Sequence, residues 1–184
     1  MRVFIALSIS SSIKEKIAEI QRRLRRGEDK IKWVDPGIIH LTLKFLGEIR
    51  EEKVKKVFQA AERAARESSP FLMKIEGMGI FPNSSRPRVV WVGVKEEKGK
   101  LKSLVTFFEK ELKKEGFPEE KRERRPHLTI GRVRFLKERK KLIDFIQVEK
   151  EKRFGEEKVK DIEIMQSQLT PRGAVYKVLK RVLL

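Results

Sequence analysis

The sequence predicts an α+β protein in which a β-α-β-α-β unit is duplicated, with two antiparallel-rich sheets, helices outside, and a bilobal shape around a central cleft on a pseudo-two-fold axis. Three observations lead to this prediction. Apolar spacing switches between strand-like and helix-like periods, the order of these segments recurs after 87 residues, and no Gly/Ser-rich linker separates the halves. We therefore expect residues 1–184 to form a single bilobal domain with internal repeats at about 1–87 and 88–184.

The first half begins with an apolar strand at 3–7. Serine hydroxyls at 10–12 offer an N-cap for a helix that ends near Gly27. Its apolar stripe consists of Ile13, Ile17, Ile20 and Leu24. The same patterns predict the remaining elements, which are a short strand at 32–34, a longer strand at 39–49, a helix at 51–67, a strand at 71–81 and a loop at 82–87.

The second half repeats this order when the numbering is shifted by 87. The strand at 3–7 falls on 90–94, and the first helix falls on 101–114. The later elements are a helix at 137–150, a strand at 159–165 and a closing strand at 174–183. Because residues 88–94 can end one unit and begin the next, we expect the units to pack together rather than to form separate domains.

The chain is strongly basic, with 45 Lys and Arg against 27 Asp and Glu and a formal charge of +18. A field of this sign attracts polyanions, which favours a nucleic-acid partner over a neutral metabolite. The alternative is a heat-adapted surface, since Lys, Arg and Glu are abundant while Asn occurs once and Cys is absent. Such surfaces are usually balanced in sign, so the excess of cations favours an anionic substrate.

Composition excludes several other classes of protein. Equal shares of hydrophobic and charged residues, 39% each, are typical of neither disordered nor membrane proteins. No apolar run approaches the length of a membrane span, and the apolar start is too short for a signal peptide. Without cysteine there is no disulfide, thiolate zinc site or cysteine nucleophile. The sequence therefore predicts a cytoplasmic protein.

The chain has two histidines, and each opens a His-Leu-Thr-aliphatic tetrapeptide. Residues two apart on a strand face the same side, so His40 and Thr42 share one face while Leu41 and Leu43 anchor the other. The second motif repeats this arrangement in His127, Leu128, Thr129 and Ile130. If the duplication is also a spatial pseudo-symmetry, two imidazoles and two hydroxyls converge on one cleft.

This set of groups is suited to phosphoryl chemistry. In-line displacement at phosphorus needs a base for the nucleophile and an acid for the leaving oxygen, and imidazole serves as either near neutral pH. Threonine hydroxyls can donate to the non-bridging oxygens, and no metal is required. A lone His-x-Thr is more often structural, a zinc site needs three or four ligands, and a serine nucleophile leaves one histidine unused.

The chain resembles the two-histidine (2H) phosphoesterase superfamily, and within it the RNA 2′,3′-cyclic phosphodiesterases, also called 2′-5′ RNA ligases. The residues that carry the resemblance lie at 2–7, 40–47, 81–82, 86–91 and 126–132. The resemblance implies hydrolysis of a terminal 2′,3′-cyclic phosphate on RNA to a 2′-phosphate. It further implies His40 as the proton donor and His127 as the proton acceptor, although the residues alone leave these two roles interchangeable.

The resemblance also implies that the same groups, run backwards, join a cyclic-phosphate end to a 5′-hydroxyl without ATP, as the family does on tRNA half-molecules. Thr42 and Thr129 are the expected phosphate-binding residues. We expect RNA with a cyclic-phosphate end as the partner, no cofactor, no metal, no membrane, and a monomer. Two alternatives remain, namely an RNA-end binding module without turnover and a phosphodiesterase acting on small cyclic nucleotides.

Further candidate residues surround the motifs. Arg132 faces away from His127 if the strand is regular, but a bulge at Gly131 would turn it toward the phosphate. Three aromatic residues are candidates for stacking on a base, with burial in the core or between the lobes as the alternative for each: Phe45, Trp33 and Phe81. The basic run at 121–125 either guides the RNA backbone or is a solvated loop.

Overall fold

A computed structural model describes residues 1–25, 29–120, 125–171 and 173–184. The elements within these ranges are, in chain order, β1 (Arg2–Ser8), α1 (Ser11–Leu24), β2 (Lys30–Trp33), a 3₁₀ turn (Pro36–Ile38), β3 (His40–Glu48), α2 (Glu51–Arg66), β4 (Phe71–Phe81), β5 (Val89–Lys95), α3 (Lys100–Lys114), β6 (His127–Phe135), α4 (Arg139–Val148), β7 (Arg153–Val159), β8 (Asp161–Thr170) and β9 (Gly173–Leu183). None of the described helices is both long enough and apolar enough to cross a membrane.

The strands pair antiparallel in two groups. Strands β3, β1, β8 and β9 follow one another on one side, and β7, β4, β5 and β6 on the other, with β2 added to β6. The groups meet where Leu41 of β3 pairs with Leu128 of β6. The predicted α+β class and duplicated antiparallel architecture are confirmed, and the two expected sheets join edge to edge into one curled sheet.

One face of this sheet is covered by the helices. Alternate residues of β1 pack with the predicted stripe of α1, and Ile5, Ile17 and Ile20 are fully buried. Because the strand period is two, the intervening side chains of the same strands are left on the opposite, concave face. The duplicated strands therefore place apolar anchors under the helices and keep the other face for polar and aromatic groups.

The two halves also contact each other through helices α2 and α3. Small side chains make α2 narrow on its buried side, where Ala60, Ala61 and Ala64 are inaccessible to solvent. Arg63 of α2 donates through Nε to Glu111 Oε2 at 2.6 Å and through Nη2 to Glu115 Oε1 at 2.8 Å. These contacts hold the helix layer of one half against that of the other, on the far side from the concave face.

Two elements differ from the sequence-based expectation. Near the C-terminus, one strand was expected at 159–165, but β7 and β8 are separate strands with a break at Lys160, and they pair with β4 and β1 respectively. Strand β7 lies at the edge of the sheet, and its buried Phe154 and Val159 are separated by four residues that include the exposed Glu156 and Lys158, so charge masks its strand pattern. The expected helix end near Gly27 falls outside the described residues, and α1 ends at Leu24.

Candidate active site

The concave face of the sheet forms a cleft of about 1900 Å³ with walls from both halves of the chain. Its lining includes all four polar residues of the repeated motif: His40, Thr42, His127 and Thr129. The pairing of Leu41 with Leu128 explains this, since both leucines are buried under the helices. The residues that flank them on each strand must therefore project into the cleft.

The ring of His40 is held by its two nitrogens. Nδ1 lies 2.8 Å from the carbonyl oxygen of Ile38, which can only accept, so Nδ1 carries a proton. Nε2 lies 3.0 Å from Thr42 Oγ1, the hydroxyl two residues along the strand. This tautomer leaves Nε2 as the nitrogen that exchanges a proton, and the threonine hydroxyl donates to it when the ring is neutral.

The ring of His127 is oriented in the same way. Its Nδ1 lies 2.7 Å from the carbonyl oxygen of Arg125, again two residues before the histidine. Arg125 corresponds to Ile38 in the repeat, so the duplication preserves the backbone contact as well as the motif. Both imidazoles therefore present Nε2 for proton transfer on the walls of one cleft.

Aromatic rings surround His40. The ring of Phe4 lies 4.9 Å from the imidazole, and the ring of Tyr176 meets it edge-on at 5.2 Å. Burial by these neighbours lowers the pKa of His40 below its ordinary value near 6.5. The hydrogen bond to Ile38 opposes this effect on the pKa, Lys14 adds to it, and Glu163 opposes it. Without a bound anion, His40 is therefore biased toward the neutral form.

A matching pair of rings lies beside His127. Phe81 meets its imidazole edge-on at 4.9 Å and stacks on Trp91 at 5.0 Å. Trp91 occupies the position equivalent to Phe4 in the repeat. Its ring lies over Gly79, where an added Cβ would stand 2.1 Å from Trp91 Cζ2. The second histidine is thus also backed by aromatic side chains, packed against a glycine that leaves room for the indole.

The strand β6 contains a bulge at Ile130, the last residue of its motif. Its register against β5 slips by one residue between Thr129 and Gly131, which leaves Ile130 as the extra residue. The bulge reverses the alternation, and Arg132 lines the cleft on the same side as His127. The sequence left both orientations open, and the bulge decides between them.

The strand β3 carries the equivalent bulge. Its register against β1 slips between Thr42 and Lys44, so Leu43 is the extra residue. Phe45 then lines the cleft with 56% of its surface exposed, while Lys44 turns into the protein interior. Phe45 is thus exposed and not buried in the core, and its role in stacking on a base remains a prediction.

The other predicted aromatic residues are less accessible. Trp33 lies at the cleft margin but packs over Gly131, where an added Cβ would stand 2.9 Å from its ring. Phe81 supports His127 and is not among the residues that line the cleft. Of the basic run at 121–125, residues 121–124 lie outside the described residues, and Arg125 lines the cleft.

Several residues of the site were missed by sequence reasoning. Phe4 and Trp91 are 87 residues apart, so the repeat that selected the histidines also relates these two rings. Tyr176 has no such signal, because it comes from β9 at the far edge of its group of strands. Burial raises the pKa of the Tyr176 hydroxyl, and Arg132 and Arg2 partly offset this effect. Arg132 thus acts electrostatically on a residue of the opposite wall.

No group of three or more His, Asp or Glu side chains that could hold a metal ion occurs among residues 1–25, 29–120, 125–171 and 173–184. The polar groups that line the cleft include two imidazoles and two hydroxyls from the repeated motif and the guanidinium of Arg132. Such a set can exchange protons and donate hydrogen bonds to an anion.

Comparison with known proteins adds family relationships to this geometry. The model of the family described as LigT like Phosphoesterase matches the chain twice, at residues 7–91 and 92–176. A protein of Archaeoglobus fulgidus named RNA 2′,3′-cyclic phosphodiesterase is 40% identical over 98% of both chains. A protein of Methanocaldococcus jannaschii with the same name is 39% identical, over 98% of this chain and 99% of that one.

Solved structures show the same fold. The crystal structure of TT0787 of Thermus thermophilus superposes with a TM-score of 0.84 and 29% identity, covering 100% of this chain and 98% of that one. The structure of Escherichia coli LigT complexed with 3′-AMP has a TM-score of 0.78 over 100% of this chain and 97% of the other. At 24% identity, the second likeness speaks for the fold alone.

Proposed function

This chain belongs to the LigT-like phosphoesterase family, and we propose that it hydrolyses the terminal 2′,3′-cyclic phosphate of RNA to a 2′-phosphate by metal-independent acid–base catalysis. The observation that carries the proposal is that the two histidines have equivalent hydrogen bonds and line the same cleft. His40 and His127 each donate from Nδ1 to a backbone carbonyl, and both line one cleft. A pair of imidazoles whose Nε2 atoms can exchange protons is the minimum needed for one acid and one base.

The proposed substrate is supported by the names of the relatives and by the positive net charge of this chain. Two proteins related over nearly their full length carry the name RNA 2′,3′-cyclic phosphodiesterase. The excess of 45 basic over 27 acidic residues favours a polyanionic ligand. Both observations support an RNA end rather than a neutral ester as the substrate.

The proposed step transfers two protons and exchanges one bond at phosphorus. His127 Nε2 removes a proton from water, whose oxygen attacks phosphorus in line with the 3′-oxygen. The P–O3′ bond breaks, and the 3′-oxygen takes the proton from Nε2 of protonated His40. The product carries a 2′-phosphate and a 3′-hydroxyl, and proton exchange with solvent restores both rings.

The other polar groups of the cleft stabilise the phosphate in this proposal. Thr42 and Thr129 donate from their hydroxyls to the non-bridging oxygens, one from each side. Arg132 adds a permanent positive charge from the bulge on β6. All three residues line the same cleft as the histidines.

The assignment of the acid depends on the charge of the substrate. Burial lowers the pKa of His40, which disfavours the protonated form needed for a proton donor. A bound phosphodiester anion acts in the opposite direction, since a nearby negative charge stabilises imidazolium. A bound cyclic phosphate therefore favours the protonated His40 that the proposed proton donor requires, and the assignment of His40 as acid and His127 as base follows the family resemblance.

Ligation is the second activity that we propose. A 5′-hydroxyl that takes the place of water attacks the same phosphorus, again expelling the 3′-oxygen, and yields a 2′-5′ linkage without ATP. The proton transfers are identical, so the histidines keep their roles. The halves of a cleaved tRNA are RNA ends of this kind. Hydrolysis dominates because water is always present in excess.

Product analysis tests the proposal. A short RNA with a 2′,3′-cyclic phosphate is incubated with the protein, with and without EDTA, and the product is identified by ³¹P NMR. We expect a 2′-phosphate in both conditions. His40→Gln and His127→Gln, checked for folding by circular dichroism, should each reduce turnover by about 10²-fold or more.

Other results would point elsewhere. A 3′-phosphate product, loss of activity with EDTA, or full activity in either histidine variant would refute the mechanism. RNA binding without turnover would identify an RNA-end binding module. Turnover of cyclic mononucleotides but not of the RNA would identify a small-nucleotide phosphodiesterase.

A further inference from the structure

The two walls of the cleft differ in chemical character. On the wall formed by β1, β3, β8 and β9, the lining includes a group of apolar and aromatic side chains: Phe4, Phe45, Leu169 and Tyr176. Register places Leu169 and Tyr176 on the same face as Phe4, since Tyr176 pairs with Ser167, Ser167 with Arg2, and residues two apart share a face. We call these four residues the apolar wall.

Two residues of the apolar wall are exposed to solvent, whereas Phe4 is buried and Tyr176 is half-buried. Leu169 is 72% exposed and Phe45 is 56% exposed, yet both lie in the same cleft as the histidines. An exposed leucine inside a cleft, beside aromatic rings, is typical of a surface that binds a ligand. Planar apolar faces are what the bases of a single-stranded nucleic acid require.

The opposite wall carries a strip of cations. Lys32 of β2 pairs directly with Arg132 of β6, and Arg134 follows two residues later on β6. All three are exposed and line the cleft, and we call them the cationic strip. None of the three forms an ion pair with a carboxylate in the described part of the chain. Like charges directly opposite on neighbouring strands repel each other, so this arrangement costs stability until an anion binds.

Charged side chains are also distributed unevenly along the cleft. The end of the cleft near α3 is lined by carboxylates interspersed with lysines, and the carboxylates are Glu96, Glu97, Glu109, Glu119 and Glu120. Three of these carboxylates are paired with lysines, Glu97 with Lys74, Glu109 with Lys44 and Glu119 with Lys113, so the cationic strip attracts a chain of phosphates more strongly than that end does. Asp35 lines the cleft beside β2, but its side chain accepts a hydrogen bond from Gly37 N at 2.7 Å.

We propose that the cleft binds several nucleotides of a single-stranded RNA end, with the bases against the apolar wall and the upstream phosphates along the cationic strip. This inference rests on the proposed function, because the cyclic phosphate at the histidines fixes where the strand begins. Arg132 contacts the terminal phosphate, while Lys32 and Arg134 contact phosphates farther upstream. The preferred substrate is consequently an oligonucleotide rather than a cyclic mononucleotide.

The first test removes the two upstream charges in the full-length protein. Lys32→Gln/Arg134→Gln is compared with Arg22→Gln/Lys55→Gln, which changes the net charge equally at exposed helical positions outside the cleft. Substrates are a six-nucleotide RNA with a 2′,3′-cyclic phosphate and the corresponding cyclic mononucleotide. Binding of a six-nucleotide RNA with a 2′-phosphate is measured in parallel by fluorescence anisotropy over a range of salt concentrations.

For the strip variant we expect kcat/KM on the RNA to fall by about tenfold or more at 0.1 M salt, with the mononucleotide changed less than twofold. Its anisotropy affinity should depend less steeply on salt, since each lost phosphate contact removes about 0.7 from the logarithmic slope. Equal losses of kcat/KM on both substrates, or an equal loss in the helical control, would overturn the proposal that the cationic strip binds upstream phosphates. If the unmodified protein turns over neither substrate, the proposed function fails, and the anisotropy still decides whether the strip binds RNA.

The second test addresses the apolar wall. Leu169→Ser is compared with Val148→Ser, which removes a similarly exposed apolar side chain from α4 outside the cleft. We expect Leu169→Ser to weaken RNA binding by about threefold or more and Val148→Ser to leave it unchanged. An unchanged affinity in Leu169→Ser would show that this wall does not hold the bases.

Discussion

Leu41 of β3 pairs with Leu128 of β6, and this contact joins the two groups of strands into one sheet. Both leucines are buried beneath the helices, while the residue on either side of each one belongs to the candidate active site. The junction between the halves and the convergence of the motifs therefore depend on the same pair of residues. Stability and the geometry of the site are coupled there.

Truncation of this pair should reduce stability strongly. Leu128→Ala removes a fully buried side chain, and we expect a loss of about 2 to 5 kcal/mol in the free energy of unfolding. Leu183→Ala removes an exposed leucine from the end of β9 and should cost less than about 0.5 kcal/mol. Urea denaturation measures both. Similar values for the two variants would contradict the role of the junction.

The titration of His40 should be observable directly. The chain has two histidines, so a ¹H NMR titration gives two imidazole signals, and His40→Gln assigns them. We expect the pKa of His40 to lie below 6.5 because the ring is buried beside Phe4 and Tyr176. Saturation with inorganic phosphate should raise it. A pKa above 6.5 in the free protein would exclude desolvation as the dominant influence.

Stability should depend on pH through the same residue. Because the folded state holds His40 neutral to lower pH than the unfolded state does, the unfolded chain binds more protons below about pH 6.5. The free energy of unfolding should therefore fall as the pH drops from about 7.5 to about 5. The fall should be shallower in His40→Gln. Parallel curves for the two proteins, measured by urea denaturation, would rule out this linkage.

Tyr176 should control the environment of His40 through its ring. Tyr176→Phe keeps the edge-on contact at 5.2 Å, whereas Tyr176→Ala admits water beside the imidazole. We expect the alanine variant to raise the pKa of His40 toward its ordinary value and the phenylalanine variant to leave it nearly unchanged. The NMR titration distinguishes them. A shift of equal size in both variants would assign the effect to the hydroxyl instead of the ring.

The bulge on β3 creates a buried ion pair that can be tested by a double-mutant cycle. Lys44, which is 5% exposed, pairs with Glu109 and also donates to the carbonyl oxygen of Pro118 at 2.8 Å. Lys44→Met leaves Glu109 without this cation, and we expect a loss of about 2 to 3 kcal/mol, since Glu109 keeps some exposure.

The second variant of the cycle removes both charges. Lys44→Met/Glu109→Leu should be more stable than Lys44→Met alone, because no buried carboxylate remains without its partner. Chemical denaturation gives the free energies of unfolding of the unmodified protein, of Lys44→Met, of Glu109→Leu and of the double variant. Additive losses would mean that the two side chains contribute independently.

Much of this architecture is predictable from the sequence because local periodicity carries it. The two His-Leu-Thr motifs and the alternation that puts His40 and Thr42 on one face are properties of neighbouring residues, and the 87-residue repeat appears when the sequence is compared with itself. The strand β7 was not predicted, because the charged side chains of an edge strand give it the sequence pattern of a charged loop. The roles of His40 and His127, of the threonines and of Arg132 remain proposals.

The α+β class, the duplication and the two His-Leu-Thr motifs of the site follow from the order of amino acids along the chain. Long-range packing was needed to establish that the bulges turn Phe45 and Arg132 into the cleft, and that Tyr176 packs against His40. The pairing of Lys32 with Arg132 across the two halves is of the same kind. The reason is physical: strand periodicity is set by adjacent residues, whereas the partner strand and a register slip are set by packing between residues far apart in the chain.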